Sequence, residues 1–139
     1  MRDIVGLVLF AVLATAPSRG SAQAAAPTPG AILRFPPRDS VEFINAGPMD
    51  LATGQPGFMF AFHPFQALDD SNRLRALAGE IWHWLRPQLD TRPSFVVLQA
   101  TSARAHPTFG AQVAHGQNLV LERRADGKWY FVDETKPAQ

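Results

Sequence analysis

Hydrophobic positions recur along this chain with two periods, and the switch between them predicts the elements. From Phe58 to His63 the alternation is strict. Phe58, Phe60 and Phe62 share one side of a strand, and Met59, Ala61 and His63 share the other. Three rings on one side mark a core face, because burying them removes a large apolar area from water. Pro64 cannot donate to a ladder, so it ends the strand or places it at an edge. Residues 69–87 carry the helical period. Leu74, Leu77, Ala78, Ile81, Trp84 and Leu85 gather on one face, and Arg75, Gly79, His83 and Arg86 lie opposite. Trp82 falls on the boundary, roughly 200° around the helix from Trp84. Asp69, Asp70 or Ser71 supplies the N-terminal cap, and Pro87 stops the helix.

Alternation returns in residues 94–103. Val96, Leu98 and Ala100 form one face, and Phe95 and Val97 begin another that turns polar at Gln99 and Thr101. Residues 117–134 read as a hairpin turning at Asp126-Gly127. A two-residue loop would pair Arg124 with Trp129. A type I turn with a left-handed Gly127 would pair Arg124 with Lys128. The second register aligns Leu119, Leu121, Trp129 and Phe131 on one face and leaves Val120, Glu122, Tyr130 and Val132 on the other. A single buried face selects it.

Residues 25–40 carry Pro27, Pro29, Gly30, Pro36 and Pro37 and read as a flexible Pro-rich leader. Within it residues 31–35 form a short extended piece that docks on the body, and residues 40–44 alternate as a strand. Residues 45–57 are rich in Gly and Pro and read as a loop. Residues 104–116 read as a second irregular stretch. The expected fold is an α+β domain over residues 41–135. It is an antiparallel sheet of four or more strands with one amphipathic helix packed on one face, in the order β-α-β-β-β. The Pro-rich arm precedes it, and residues 136–139 form a tail.

Composition places this domain in a compartment. Residues 4–16 are an unbroken apolar run after Arg2, and Ala22-Gln23-Ala24 follows as a small-residue cleavage site. That is the layout of a secretory signal peptide over residues 1–24. The run is shorter than the roughly 20 residues a bilayer crossing needs. The expectation is an exported protein, periplasmic or extracellular, with no membrane span after cleavage. The chain has no cysteine, so it has no disulfide, thiol nucleophile or thiolate metal ligand. The 139 residues hold 13 basic and 12 acidic side chains. Without Arg2, Arg19 and Asp3 the balance is 11 to 11, and no basic stripe remains for nucleic acid.

The candidate chemistry is sparse. The histidines are His63, His83, His106 and His115. No zinc-protease or His-x-His spacing joins them, and no nucleophile elbow, phosphate loop or dinucleotide fingerprint is present. No metal, cofactor or catalytic residue is assigned. An apolar surplus stands out instead, since a sheet covered by one helix leaves a second face to explain. Met59, His63, Trp82, His106 and His115 are the candidate binding residues. The reading is a small, exported, non-enzymatic binding domain for a protein partner or an apolar small ligand, with self-association as a further outcome. The alternative is a His-based metal-dependent or hydrolytic enzyme of the cell envelope, using His63 with His106 or His115.

Overall fold

The Pro- and Gly-rich stretch before the phenylalanines is not a loop. The computed structural model describes residues 27–35, 39–90, 92–105 and 115–138. In it, strand β2 (Asp39–Asp50) and strand β3 (Pro56–Pro64) form a long antiparallel hairpin, with Pro48 opposite Phe58. Both prolines sit where a ladder tolerates them. Pro56 is the first residue of its strand, and Pro48 lies beyond the part of β2 that β1 pairs with, where no outer neighbour is found among the described residues. The turn between them closes through Gly54 N–H to the Leu51 carbonyl, with Gly54 left-handed at φ 85°.

Strand β1 (Ile32–Phe35) pairs antiparallel with Asp39–Glu42, so part of the expected leader is an edge strand docked on the body. Helix α1 (Ser71–Leu85) follows β3, capped by the Asp70 carboxylate on the Arg73 amide, and a 3-10 turn at Arg86–Gln88 ends it. Strands β4 (Phe95–Thr101), β5 (Gly116–Arg123) and β6 (Trp129–Phe131) complete a six-stranded sheet in the simple order β1 to β6.

One pairing corrects the expected antiparallel sheet. Strands β3 and β4 run parallel, with Phe60 beside Leu98 and Phe62 beside Ala100. The reason is the helix between them. A chain that leaves one strand, crosses the face as a helix and returns beside the same strand must run in the same direction again. The β5–β6 hairpin adopts the preferred register. Gly127 is left-handed at φ 80°, the Arg124 amide donates to the Lys128 carbonyl, and Leu121 faces Phe131.

A width mismatch shapes the core. Six strands at about 4.8 Å spacing span roughly 24 Å, whereas a helix with its side chains is about 10 Å across. The sheet therefore curls, and both of its edges reach the one helix. Phe35 on β1 meets Trp84 edge-on at 5.9 Å between ring centroids, and Trp129 on β6 meets Trp82 at 5.0 Å. A bulge between Phe43 and Asn45 assists the bend. The rows Phe58, Phe60, Phe62 and Val96, Leu98, Ala100 fill the space beneath the helix.

This placement corrects the reading of Trp82. On a helical wheel it lies at the boundary, but it is 0% exposed, while Trp84 is only half-buried. A flat sheet would meet one flank of the helix; the curled sheet meets both. Trp82→Ala should cost about 3–5 kcal/mol through loss of a fully buried indole. Urea unfolding followed by circular dichroism checks this. An unchanged midpoint would mean that the β6 edge does not grip the helix.

Candidate functional site

With α1 on the concave side, the other sheet face carries no helix among the described residues. Cross-strand registers set out its rows. Gly57 and Phe95 form one with Glu122 and Tyr130; Met59, Val97 and Val120 form the next; then come Ala61, Gln99 and Asn118; and Glu42, His63, Thr101 and Gly116 complete the face. The first row is sealed by an aromatic ring lying on bare backbone. A Cβ on Gly57 would collide with the Phe95 ring tip, so glycine lets that ring lie on the backbone. Beyond it, Tyr130 donates to the Asp126 carboxylate at 2.6 Å and lies under the Arg124 guanidinium.

The last row is where the chemistry collects. It lies at the C-terminal ends of the two parallel strands, where open α/β sheets place their ligands. Glu42 is opposite His63 and only 6% exposed. Its Oε1 accepts from Arg104 Nε at 2.6 Å and from the Ala105 amide at 3.4 Å. The hydrogen bond from Arg104 holds its carboxyl below the usual glutamate range, against the opposing effect of burial; the Ala105 amide and the charge of Arg104 act in the same direction. The His63 ring is fixed as well. Its Nδ1 lies 2.9 Å from the Thr101 carbonyl. A carbonyl only accepts, so Nδ1 carries a proton, and among the described residues Nε2 has no hydrogen-bond partner.

Phe65 stands edge-on to His63 at 5.3 Å, and the Arg104 guanidinium lies 5.4 Å from the Phe65 ring centre. Phe65 is 51% exposed. Ile32, beside Glu42 on β1, is 45% exposed. Among the described residues, Arg104 Nη1 and Nη2 make no hydrogen bond to the protein. The corner thus combines a charged fork with free donors, a half-buried imidazole with one free nitrogen, and two exposed apolar side chains.

The candidate residues separate on this frame. Met59 is half-buried on the helix-free face, in line with His63 two places along the same strand face. Trp82 is on the opposite side of the sheet, inside the core. His115 is exposed just before β5, and its amide donates to Ser102 Oγ at 2.9 Å. Its strand is two positions away from that of His63, roughly 10 Å across the sheet. His83 is exposed on the outer side of α1, and His106 lies outside the described residues. Among the described residues no three His, Asp or Glu side chains gather as a metal cluster, and no helix is long and apolar enough to cross a membrane.

Sequence reasoning missed Glu42, Phe65, Thr101 and Arg104. The alternation of residues 40–44 does put Glu42 on the face opposite Val41 and Phe43. Nothing in the sequence links it to an arginine 62 residues later. Comparisons with protein-family models, curated proteins and solved structures return no match for this chain.

Arg104→Gln should destabilise the protein by about 1–3 kcal/mol at neutral pH, because a buried carboxylate loses its charged donor. The sign of the pH dependence follows from the lowered Glu42 pKa. The stabilisation is present above the ordinary glutamate range and is lost as pH falls through the depressed value. The gap between the two proteins should therefore be widest near neutrality and close in acid. Urea unfolding of both across that range checks it, and a pH-independent gap would mean that Glu42 is not held ionised by Arg104.

Proposed function

We propose that this chain is a small exported binding domain that takes an apolar ligand with a polar head on its helix-free sheet face. The observation that carries this reading is the corner of that face. Phe65 and Ile32 remain exposed there beside Arg104 donors and a His63 nitrogen that have no partner among the described residues. Small ligands are held in this way, by apolar contact with a few convergent polar groups that set orientation. Ala61, the next residue along the same strand face, is buried, so the exposed apolar contact is offered by Phe65 and Ile32 at the corner itself.

Catalysis is less well supported by the same groups. A general base acts on a positioned proton. Among the described residues no hydroxyl is bonded to His63 Nε2, and Glu42 is occupied by Arg104. Binding uses these atoms as they stand.

Native mass spectrometry of the protein, purified gently from its own compartment, tests the reading. The expected spectrum shows a mature chain beginning near Ala25 with an organic adduct below about 1 kDa, the size of an ordinary small ligand. Phe65→Glu should lose the adduct while keeping a cooperative melt, since Phe65 is exposed and outside the core beneath the helix. A bare wild-type chain, or an adduct indifferent to Phe65→Glu, would overturn the assignment.

A further inference from the structure

The β1 edge of the sheet is a second interaction surface, and it stands without the small-ligand reading. We infer that β1 takes an extended acidic peptide as an added strand, with acidic side chains toward Arg34 and apolar ones toward Leu33.

The backbone of this edge is open. Strand β1 comes first in the sheet order, and among the described residues nothing pairs with its outer side. The Phe43 amide donates to the Ala31 carbonyl at 2.8 Å, which sets the phase of the ladder. In an antiparallel pair, residues turn toward the partner and toward the open side alternately. Ala31, Leu33 and Phe35 therefore turn their amides and carbonyls to β2, and Ile32 and Arg34 turn theirs outward. An extended chain laid along the edge meets the N–H and C=O groups of both residues at strand spacing. Sheet edges capture peptides in this way, by main-chain bonds that side-chain positions make selective.

The side chains select by charge. Ile32 and Arg34 lie on the helix-free face, the face of Glu42. The Arg34 side chain is exposed and makes no hydrogen bond or ion pair among the described residues. Arg104, one strand further in, bonds Glu42 through Nε and offsets its charge, and its outer nitrogens have no partner among the described residues. This rim is therefore cationic. The helix side differs. Leu33 and Phe35 pack there against the core, and Trp84 meets Phe35. Asp39 lies on that side with Arg73 at 4.0 Å, and Glu80 of α1 is close enough to Asp39 to feel its charge. A strand alternating acidic and apolar residues suits both sides, since its acids meet Arg34 while its apolar residues lie along Leu33, away from Arg34. The same cations disfavour a second copy. Two β1 edges paired antiparallel would bring both Arg34 side chains onto one short strip of the same face, where like charges repel. Such an edge resists adding to itself and stays open to a strand of opposite sign.

Fluorescence anisotropy with a labelled peptide alternating glutamate and valine tests the inference. The controls are the lysine–valine peptide and a glutamate–valine peptide N-methylated at its glutamates, the residues whose amides would face β1. The unmodified acidic peptide should bind at least about tenfold more tightly than either control, and more weakly as salt is raised. Ile32→Pro removes an outward amide at an edge position that tolerates proline, and should weaken binding at least about tenfold with a cooperative melt retained. Arg34→Glu should invert the preference between the acidic and basic peptides, and it guards against loss of folding in the proline variant. Equal affinity for the three peptides, no binding of the acidic one, or a preference unchanged in folded Arg34→Glu would overturn the inference. A wild-type dimer in sedimentation that Ile32→Pro splits would overturn it in favour of a second copy. The two surfaces fail separately. A bare chain in native spectra removes the ligand corner and leaves this edge, whereas an adduct lost in Phe65→Glu stands whatever the peptides do.

Discussion

One helix has to cover six strands, and the rest of the molecule follows from that constraint. The sheet is more than twice as wide as the helix, so it can bury its apolar face only by curling. Curling brings Phe35 from one edge and Trp129 from the other onto Trp84 and Trp82, two helix residues that point in nearly opposite directions. The same bend makes one face concave and closed, and the other convex and open to side chains from loops. Arg75 extends the grip at the β6 edge. Its guanidinium lies 4.4 Å from the Phe131 ring centre and pairs with Asp133 and Glu134 just after that strand.

Among the described residues, the convex face is built by the strands and by the residues that fold back from their ends. Its two ends differ. At one end Phe95 lies across Gly57 and Tyr130 is tied to Asp126, which closes the face with aromatic groups already partnered. At the other, β3 and β4 end side by side because the helical crossover made them parallel. Pro64 and Thr101 release the chain there. Phe65 and Arg104, each shortly after a strand end, fold back beside His63. The parallel pairing that corrected the expected topology is thus what assembles the corner.

Glu42 shows why this corner is costly to build and hard to alter. A carboxylate at 6% exposure is tolerated only when hydrogen-bonded to a cation. Arg104 provides the bond and is fixed by it in return. The guanidinium is thereby oriented without occupying its outer donors.

Local order was legible in the sequence. The helix and its cap, the phenylalanine strand, the buried face of residues 96–100 and the Gly127 turn all follow from period and turn chemistry, since those are set by neighbours in the chain. The β2–β3 hairpin was obscured because Pro48 and Pro56 are loop signals unless a strand's edge and start are known, and those are properties of the sheet. Trp82 was placed at a boundary because the helical wheel assumes a single covering surface. The corner could not be read at all: Glu42, His63 and Arg104 are separated by 21 and 41 residues in the chain. Only the folded sheet, with its parallel crossover, brings them to one corner, where Glu42 bonds Arg104 and lies opposite His63.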